Sequence, residues 1–378
     1  MVELTNTEHE QINTLVTCIA EAMAETGIDP AYANKTKLQK LLYLAVDEFD
    51  LSITYSWYLA GAVLPGDQAT PNTLETAFSE LAGSDSHSTL DDITEESLDS
   101  FTAADDKSTS ADTLSEEFST EARPDDGATI DPVLFSDSPE SESESNSLGG
   151  SGEDLRTNDI IDFYISELPN VWHQNTMRFL QNFYLAHAPD AYRDLYVQST
   201  HLRIHLRDIE EAIEAHLTGE TPEESIDDLV RSVGLEISDL HCTIQTAESL
   251  SPTFDGVVAG TDVIEDGLMM LSKRDPDQLD EAHLEAIQSM QEFYYYYVWR
   301  YPCLVISQET ATGPSAGILR EERQQQLSDF NKQLQARIET FEAELDDAGL
   351  LPEYSDYPAG DDKMETAFRN LAADYFGN

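Results

Sequence analysis

Apolar side chains along this chain recur mostly at three- and four-residue steps. Between residues 8 and 25, Ile12, Leu15, Val16, Ile19, Ala20 and Met23 share one side of a helical wheel, and Gly27 and Pro30 follow as stop signals. The stretch TKLQ (Thr36–Gln39) then reads as a capping box, with Thr36 accepting from the Gln39 backbone N–H and Gln39 reaching back. Behind it Leu38, Leu41, Leu42, Leu44, Ala45, Val46 and Phe49 make a helix apolar almost all round, which predicts burial. ITYSWYL alternates Ile53, Tyr55, Trp57 and Leu59 against Thr54, Ser56 and Tyr58, the pattern of a half-buried strand. GAVLPGD reads as a turn, and TPNTLETAFSEL begins another short helix.

Periodicity is then lost. From Gly83 to Gly152 the chain is Ser, Thr, Asp and Glu with single apolar residues between, and it ends in SPESESESNSLGGSG. Too little apolar surface is present to offset the ordering entropy, so a disordered linker is expected, with short helical pieces through Leu90, Ile93, Leu98 and Phe101. Beyond it helical spacing returns over 155–168, 172–187, 191–217, 277–301 and 316–347. PEESIDDLVRSVGL adds a helix with Pro222 in its first turn and a glycine at its end. The last helix keeps a period near 3.6, which favours a helical hairpin over a coiled coil. The expected fold is mainly α: a small α+β N-terminal module with a short aromatic strand at 1–83, a linker at 84–152, and a larger all-α part at 153–378.

Charge changes the picture of the solvent. The chain holds 75 acidic and 20 basic residues, a formal net charge of −55, yet 40% of it is hydrophobic. Such a charge repels itself strongly at ordinary ionic strength. In molar salt the Debye length shrinks to about 3 Å, which reconciles the charge with a folded core. Abundant acid, seven lysines and thirteen arginines point to the cytoplasm of a salt-accumulating halophile. Cys18, Cys242 and Cys303 form no CxxC pair, as expected of a reducing interior. MVELTNTEHE shows no secretory signal pattern, and the most apolar run, Phe293–Ile306, is interrupted by Arg300 and Pro302 and too short for a membrane span. It reads as packed core.

Few residues suggest chemistry. Lys35, Lys37 and Lys40 crowd the first turns of an apolar helix, where positive charge opposes the helix dipole. They serve either as local charge balance among twelve acidic side chains in residues 1–80 or as a contact for an acidic partner or a phosphate. Three lysines do not make a nucleic-acid footprint. His201 and His205 stand one helical turn apart and, with His241 and Cys242, form the one candidate metal set, although the sequence lacks a glutamate in the HExxH position. There is no GxSxG, GxxxxGK[ST] or GxGxxG motif, so nothing points to catalytic residues or a cofactor.

KLQKLLYLA (Lys37–Ala45), followed by the aromatic strand YSWYLAGAV (Tyr55–Val63), resembles the opening of Panacea domains, the SocA-like antitoxin family. The resemblance covers roughly residues 10–80. It implies a protein-binding module that neutralises or presents a toxin, with Lys35, Lys37, Gln39, Lys40, Tyr43 and Trp57 as its candidate contact residues. The favoured expectation is therefore a non-enzymatic interaction or regulatory protein adapted to high salt, whose partner is another protein. The alternative is a metal-dependent hydrolase or nuclease built on the His and Cys residues of the helical part.

Overall fold

The helical spacing is realised in a computed structural model that describes residues 4–29, 34–65, 73–74, 76–79 and 152–352. The expected linker, up to its last glycine, lies outside these residues, as do its short helical pieces. The elements are α1 (Asn6–Thr26), α2 (Lys35–Glu48), β1 (Ser56–Tyr58), β2 (Gly61–Val63), α3 (Gly152–Trp172), α4 (Thr176–His187), α5 (Arg193–Thr218), α6 (Ile226–Thr246), α7 (Phe254–Ser272), α8 (Glu281–Phe293), α9 (Arg300–Thr310) and α10 (Ala316–Asp347). The fold is mainly α with one small antiparallel sheet. Among the described residues no helix is long and apolar enough to cross a membrane.

The chain divides into two compact units, and the division does not follow the linear order. One unit comprises His9–Leu51 and Asp67–His173; the other comprises Met1–Glu8, Ser52–Gly66 and Gln174–Asn378. In the first, α2 is buried at every position from Lys37 to Val46 and packs on α3, with Phe49 edge-on to Phe163 at 5.6 Å. Its cap is Asn34, whose side chain accepts from the Lys37 N–H at 2.8 Å, so the expected Thr36 capping box does not form. Asn34 has the extended backbone of a cap, while Thr36 already lies in the first turn.

In the second unit, the expected turn at Gly61 is instead β2, paired with β1 in the register Ser56–Val63, Trp57–Ala62, Tyr58–Gly61. Thr54 and Ser56 are as buried as Ile53 and Trp57, so the strand is covered on both faces rather than one. Helix α6 runs past Gly234 to Thr246, and its cap is Ser225 rather than the turn at Pro222. The single long helix expected over 277–301 is three pieces: α8, a π-helical turn at Tyr294–Val298, and α9, which continues to Thr310. The run Phe293–Ile306 is core, as expected, and α9 and α10 form the helical hairpin. Helix α7 approaches closely at Gly260, where a Cβ would stand 2.5 Å from the Val298 side chain.

Glu8 ties distant parts of this unit together. In the segment TNTE, Thr5 caps α1: its hydroxyl accepts from the Glu8 N–H at 3.2 Å, and its own N–H donates to Glu8 Oε2 at 2.8 Å. The same carboxylate, wholly buried, accepts from the Thr54 N–H at 2.9 Å and the Ser315 hydroxyl at 2.8 Å. Ser315 N–H in turn donates to the Thr54 hydroxyl at 2.8 Å. Gly313 makes the approach possible, because it holds φ +97° and a Cβ there would lie 2.5 Å from the Thr54 Cα. Burial pushes the Glu8 carboxyl up, but the hydrogen bonds from Thr54, Thr5 and Ser315 outweigh it and hold the pKa at about 2, below its ordinary 4.5.

This depression is worth about 2–3 kcal/mol of stability, fully present above pH 4.5 and lost as pH falls towards 2. Glu8→Gln should therefore unfold more easily than wild type at pH 7 by about that amount. Thermal unfolding in high salt should show the gap between the two proteins closing between pH 4.5 and 2. A constant gap across that range would mean that the Glu8 charge contributes nothing.

Candidate functional site

The aromatic strand docks on α9 and α10 through side chains and, just before β1, through a backbone bridge in which the Tyr55 N–H donates to the Thr312 carbonyl at 3.2 Å and the Thr312 N–H to the Tyr55 carbonyl at 3.0 Å. On its free edge the Trp57 N–H donates to Thr310 Oγ1 at 2.9 Å, while the Tyr58 and Leu59 carbonyls accept from Tyr196 Oη and Trp299 Nε1, both at 2.8 Å. An exposed strand edge is a template for unwanted pairing, and these groups occupy it. Ser56 and Ser307 share a hydrogen bond at 2.8 Å. Trp57 stacks on Phe183 at 5.7 Å and meets Tyr196 edge-on at 5.4 Å. Two arginines bracket Tyr58. Arg300 Nε donates to its hydroxyl at 2.8 Å, and the Arg323 guanidinium lies over its ring at 4.3 Å.

The candidate contact residues are mostly inside the protein. Lys37, Gln39, Lys40, Tyr43 and Trp57 are buried, Lys40 to 1% exposure, and Lys35 alone of the six is exposed. The KLQKLLY segment is thus buried rather than presented to solvent. The spacing of lysines at the helix mouth made them look like surface charges. Helix α2, however, is covered on every side, and a lysine covered with it is kept there by the partners it finds.

The histidines are directed to separate partners. Gln181 Nε2 donates to His201 Nε2 at 2.7 Å, which leaves the His201 proton on Nδ1, facing Glu236 Oε1 at 3.4 Å. His205 Nδ1 faces Asp208 at 3.8 Å. His241 Nε2 is 2.8 Å from the Thr261 hydroxyl, which also lies 3.0 Å from the Val257 and Val258 carbonyls; when the hydroxyl gives its proton to one of these, His241 is the donor. Burial lowers the His241 pKa against the pull of Asp262, in keeping with a neutral ring. Cys242 is exposed. Among the described residues no three His, Cys, Asp or Glu side chains gather as a metal would need.

An open cleft of about 680 Å³ lies between the start of α5 and the end of α6. It is lined by Asp190, Asp194 and Glu248 with the hydroxyls of Thr243, Thr246 and Ser249. Tyr192 at its wall donates to Glu309 and is 3.1 Å from Ser249; burial first, and the Glu309 bond second, push its phenol up to about 12. It stays protonated at any physiological pH. Sequence reading passed over this cleft, which is built by loop and helix ends from two separate stretches, 190–194 and 243–249. It also passed over Glu8, although TNTE is a capping-box sequence, and the pairing of Arg300 with Arg323. An arginine inside the most apolar run of the chain was the available signal for the latter.

Burial separates the lysines energetically. Lys35→Gln should change stability by no more than about 0.5 kcal/mol, whereas Lys40→Gln should cost about 2–5 kcal/mol by breaking a buried charge interaction. Thermal unfolding of the two variants in high salt checks this; equal effects would contradict the burial of Lys40.

No curated protein and no solved structure matches the chain. A family described as Domain of unknown function (DUF8098) matches residues 1–376. Because the match spans nearly all of its 378 residues, the chain belongs to that family.

Proposed function

We propose that this protein is a non-enzymatic interaction or regulatory protein of a salt-rich cytoplasm, and that it works by holding another protein in an antitoxin-like manner. The observation that carries the reading is the placing of charge. Several cations are drawn inward, although Lys35, Arg178, Arg231, Lys273, Arg320 and Lys332 stay exposed: Arg203 lies over Tyr295 at 4.1 Å, and Arg337 lies beside Phe293, Tyr297 and Phe341 at 5.7–5.9 Å while pairing with Glu344 at 2.8 Å. Lys37 and Lys40 are buried. Carboxylates such as Glu211, Glu214, Asp227, Asp228, Glu321 and Asp329 are left on the exposed faces.

Crowding among these groups is felt within the protein. Burial first, then Asp262 and Asp266, push the Glu265 carboxyl up; burial, then Glu210 and Glu211, do the same to Glu214. Such a surface favours a high concentration of counter-ions. The resemblance of the α2 and β1 segments to Panacea domains supports protein binding. With five of the six resembling contact residues buried, the partner is met by Lys35 and by surface outside that set.

Two measurements test the reading. Helicity followed by circular dichroism should be retained in molar KCl and fall below about half-molar salt. Full native helicity in dilute buffer would contradict the salt adaptation. Tagged protein recovered from its native lysate in multimolar KCl should carry one stoichiometric protein partner. Recovery of the chain alone, with turnover of a substrate by the purified protein, would instead favour an enzyme.

A further inference from the structure

We propose that Arg300 and Arg323 form a binding site for a small phosphate anion beside Tyr58. The site stands on α9, α10 and β1 of one compact unit. Arg300 uses Nε on the Tyr58 hydroxyl and lies over Phe330 at 5.4 Å. Among the described residues its two terminal nitrogens meet no protein acceptor, and no carboxylate stands within ion-pair distance of it. Arg323 spends Nε on Ser307 at 3.0 Å and Nη1 on Gln326 at 2.9 Å, which leaves Nη2. Its one carboxylate neighbour among the described residues is Glu322, at 4.0 Å.

Stacking on rings explains where the two guanidiniums sit but not why they are left with so little counter-charge. In a chain with 75 acidic residues, a carboxylate is the easiest partner to supply. Two cations against one phenol repel each other unless an anion joins them. Tyr58 does not supply it, because burial pushes its phenol up against the influence of both arginines, and it stays neutral. The bonds to Ser307, Gln326 and Tyr58 fix both planar groups, so little freedom is lost when a ligand binds. The free terminal edge of Arg300 and the free Nη2 of Arg323 suit an oxyanion that accepts two bonds from the first and one from the second, a directed set that chloride does not match. Arg300 is partly exposed and the Arg323 side chain keeps 13% of its surface open, so a small anion reaches the guanidiniums from solvent past the more deeply set Tyr58.

The test is phosphorus NMR of millimolar phosphate titrated with the full chain in molar KCl, where general salt effects are already saturated. Wild type should broaden the signal saturably. Arg300→Gln should weaken binding at least tenfold. Arg300→Lys, which keeps the charge and removes the fork, should also weaken it about tenfold and covers the case in which the glutamine variant does not fold. Phenyl phosphate run in parallel separates the sources: tighter binding than inorganic phosphate assigns the site to a phosphate ester, and equal binding assigns it to the free ion. Absence of saturable broadening with wild type, or variants that bind as wild type does, would overturn the proposal.

Discussion

A single buried carboxylate organises the larger unit. Glu8 gathers the start of α1, the strand approach at Thr54 and the α9–α10 turn at Ser315 onto two oxygen atoms. An unpaired charge in a protein interior would be prohibitive, and this one is tolerated because each donor arrives from a backbone or hydroxyl group with no competing demand. The arrangement works as one piece. The capping box orients the side chain, the carboxylate holds Thr54 and Ser315, and the left-handed glycine beside them lets the backbones meet. Around this point the strand is fastened on both edges, by β2 on one and by side chains of α5 and α9 on the other. A strand of three residues persists for that reason.

Helix existence was legible wherever one apolar face was long. Helix α10 was read over 316–347 and spans those residues, and the burial of α2 followed from leucines at every angle of the wheel. What escaped was set by contacts far away in sequence. The strand face carrying Thr54 and Ser56 read as solvent-exposed because both are polar; they are buried because Glu8, Ser315 and Ser307 answer them. Gly234 read as a stop, yet it sits within α6 in an ordinary helical turn. Asn34 took the capping role from Thr36 because the choice between two adjacent polar residues depends on the entry path of the chain.

The candidate site was less legible than the fold, for a related reason. A lysine reports its charge in the sequence but not its depth. Lys35 and Lys40 lie five positions apart on one helix, and one faces solvent while the other is sealed. Histidines one turn apart suggest a shared ligand until their ring nitrogens are traced, and here His201 bonds Gln181 and faces Glu236, whereas His205 Nδ1 makes no hydrogen bond among the described residues and has Asp208 3.8 Å away. The arginines carry the opposite lesson. They look dispersed along the chain, and the fold brings Arg300 and Arg323 to the same tyrosine.

The π-helical turn at Tyr294–Val298 closes with the Trp299 N–H on the Tyr294 carbonyl at 2.7 Å, one residue wider than an α turn. The wider turn unwinds locally to take up that extra residue, so the helix beyond it keeps nearly the phase it would have without the insertion. It holds the phase between α8, which places Phe293 against Phe341 of α10, and α9, which places Trp299 against the strand. The number of residues in the tyrosine run is thus as much a part of the architecture as their rings. Exchange of a ring for another of similar size would leave the phase intact. Loss of one residue from the run would close the wide turn to an ordinary α turn with α9 still in step, whereas gain of one more would swing the whole of α9 round, carrying Cys303 and Ser307 away from the positions they fill and unseating the strand from a helix whose own sequence had not changed.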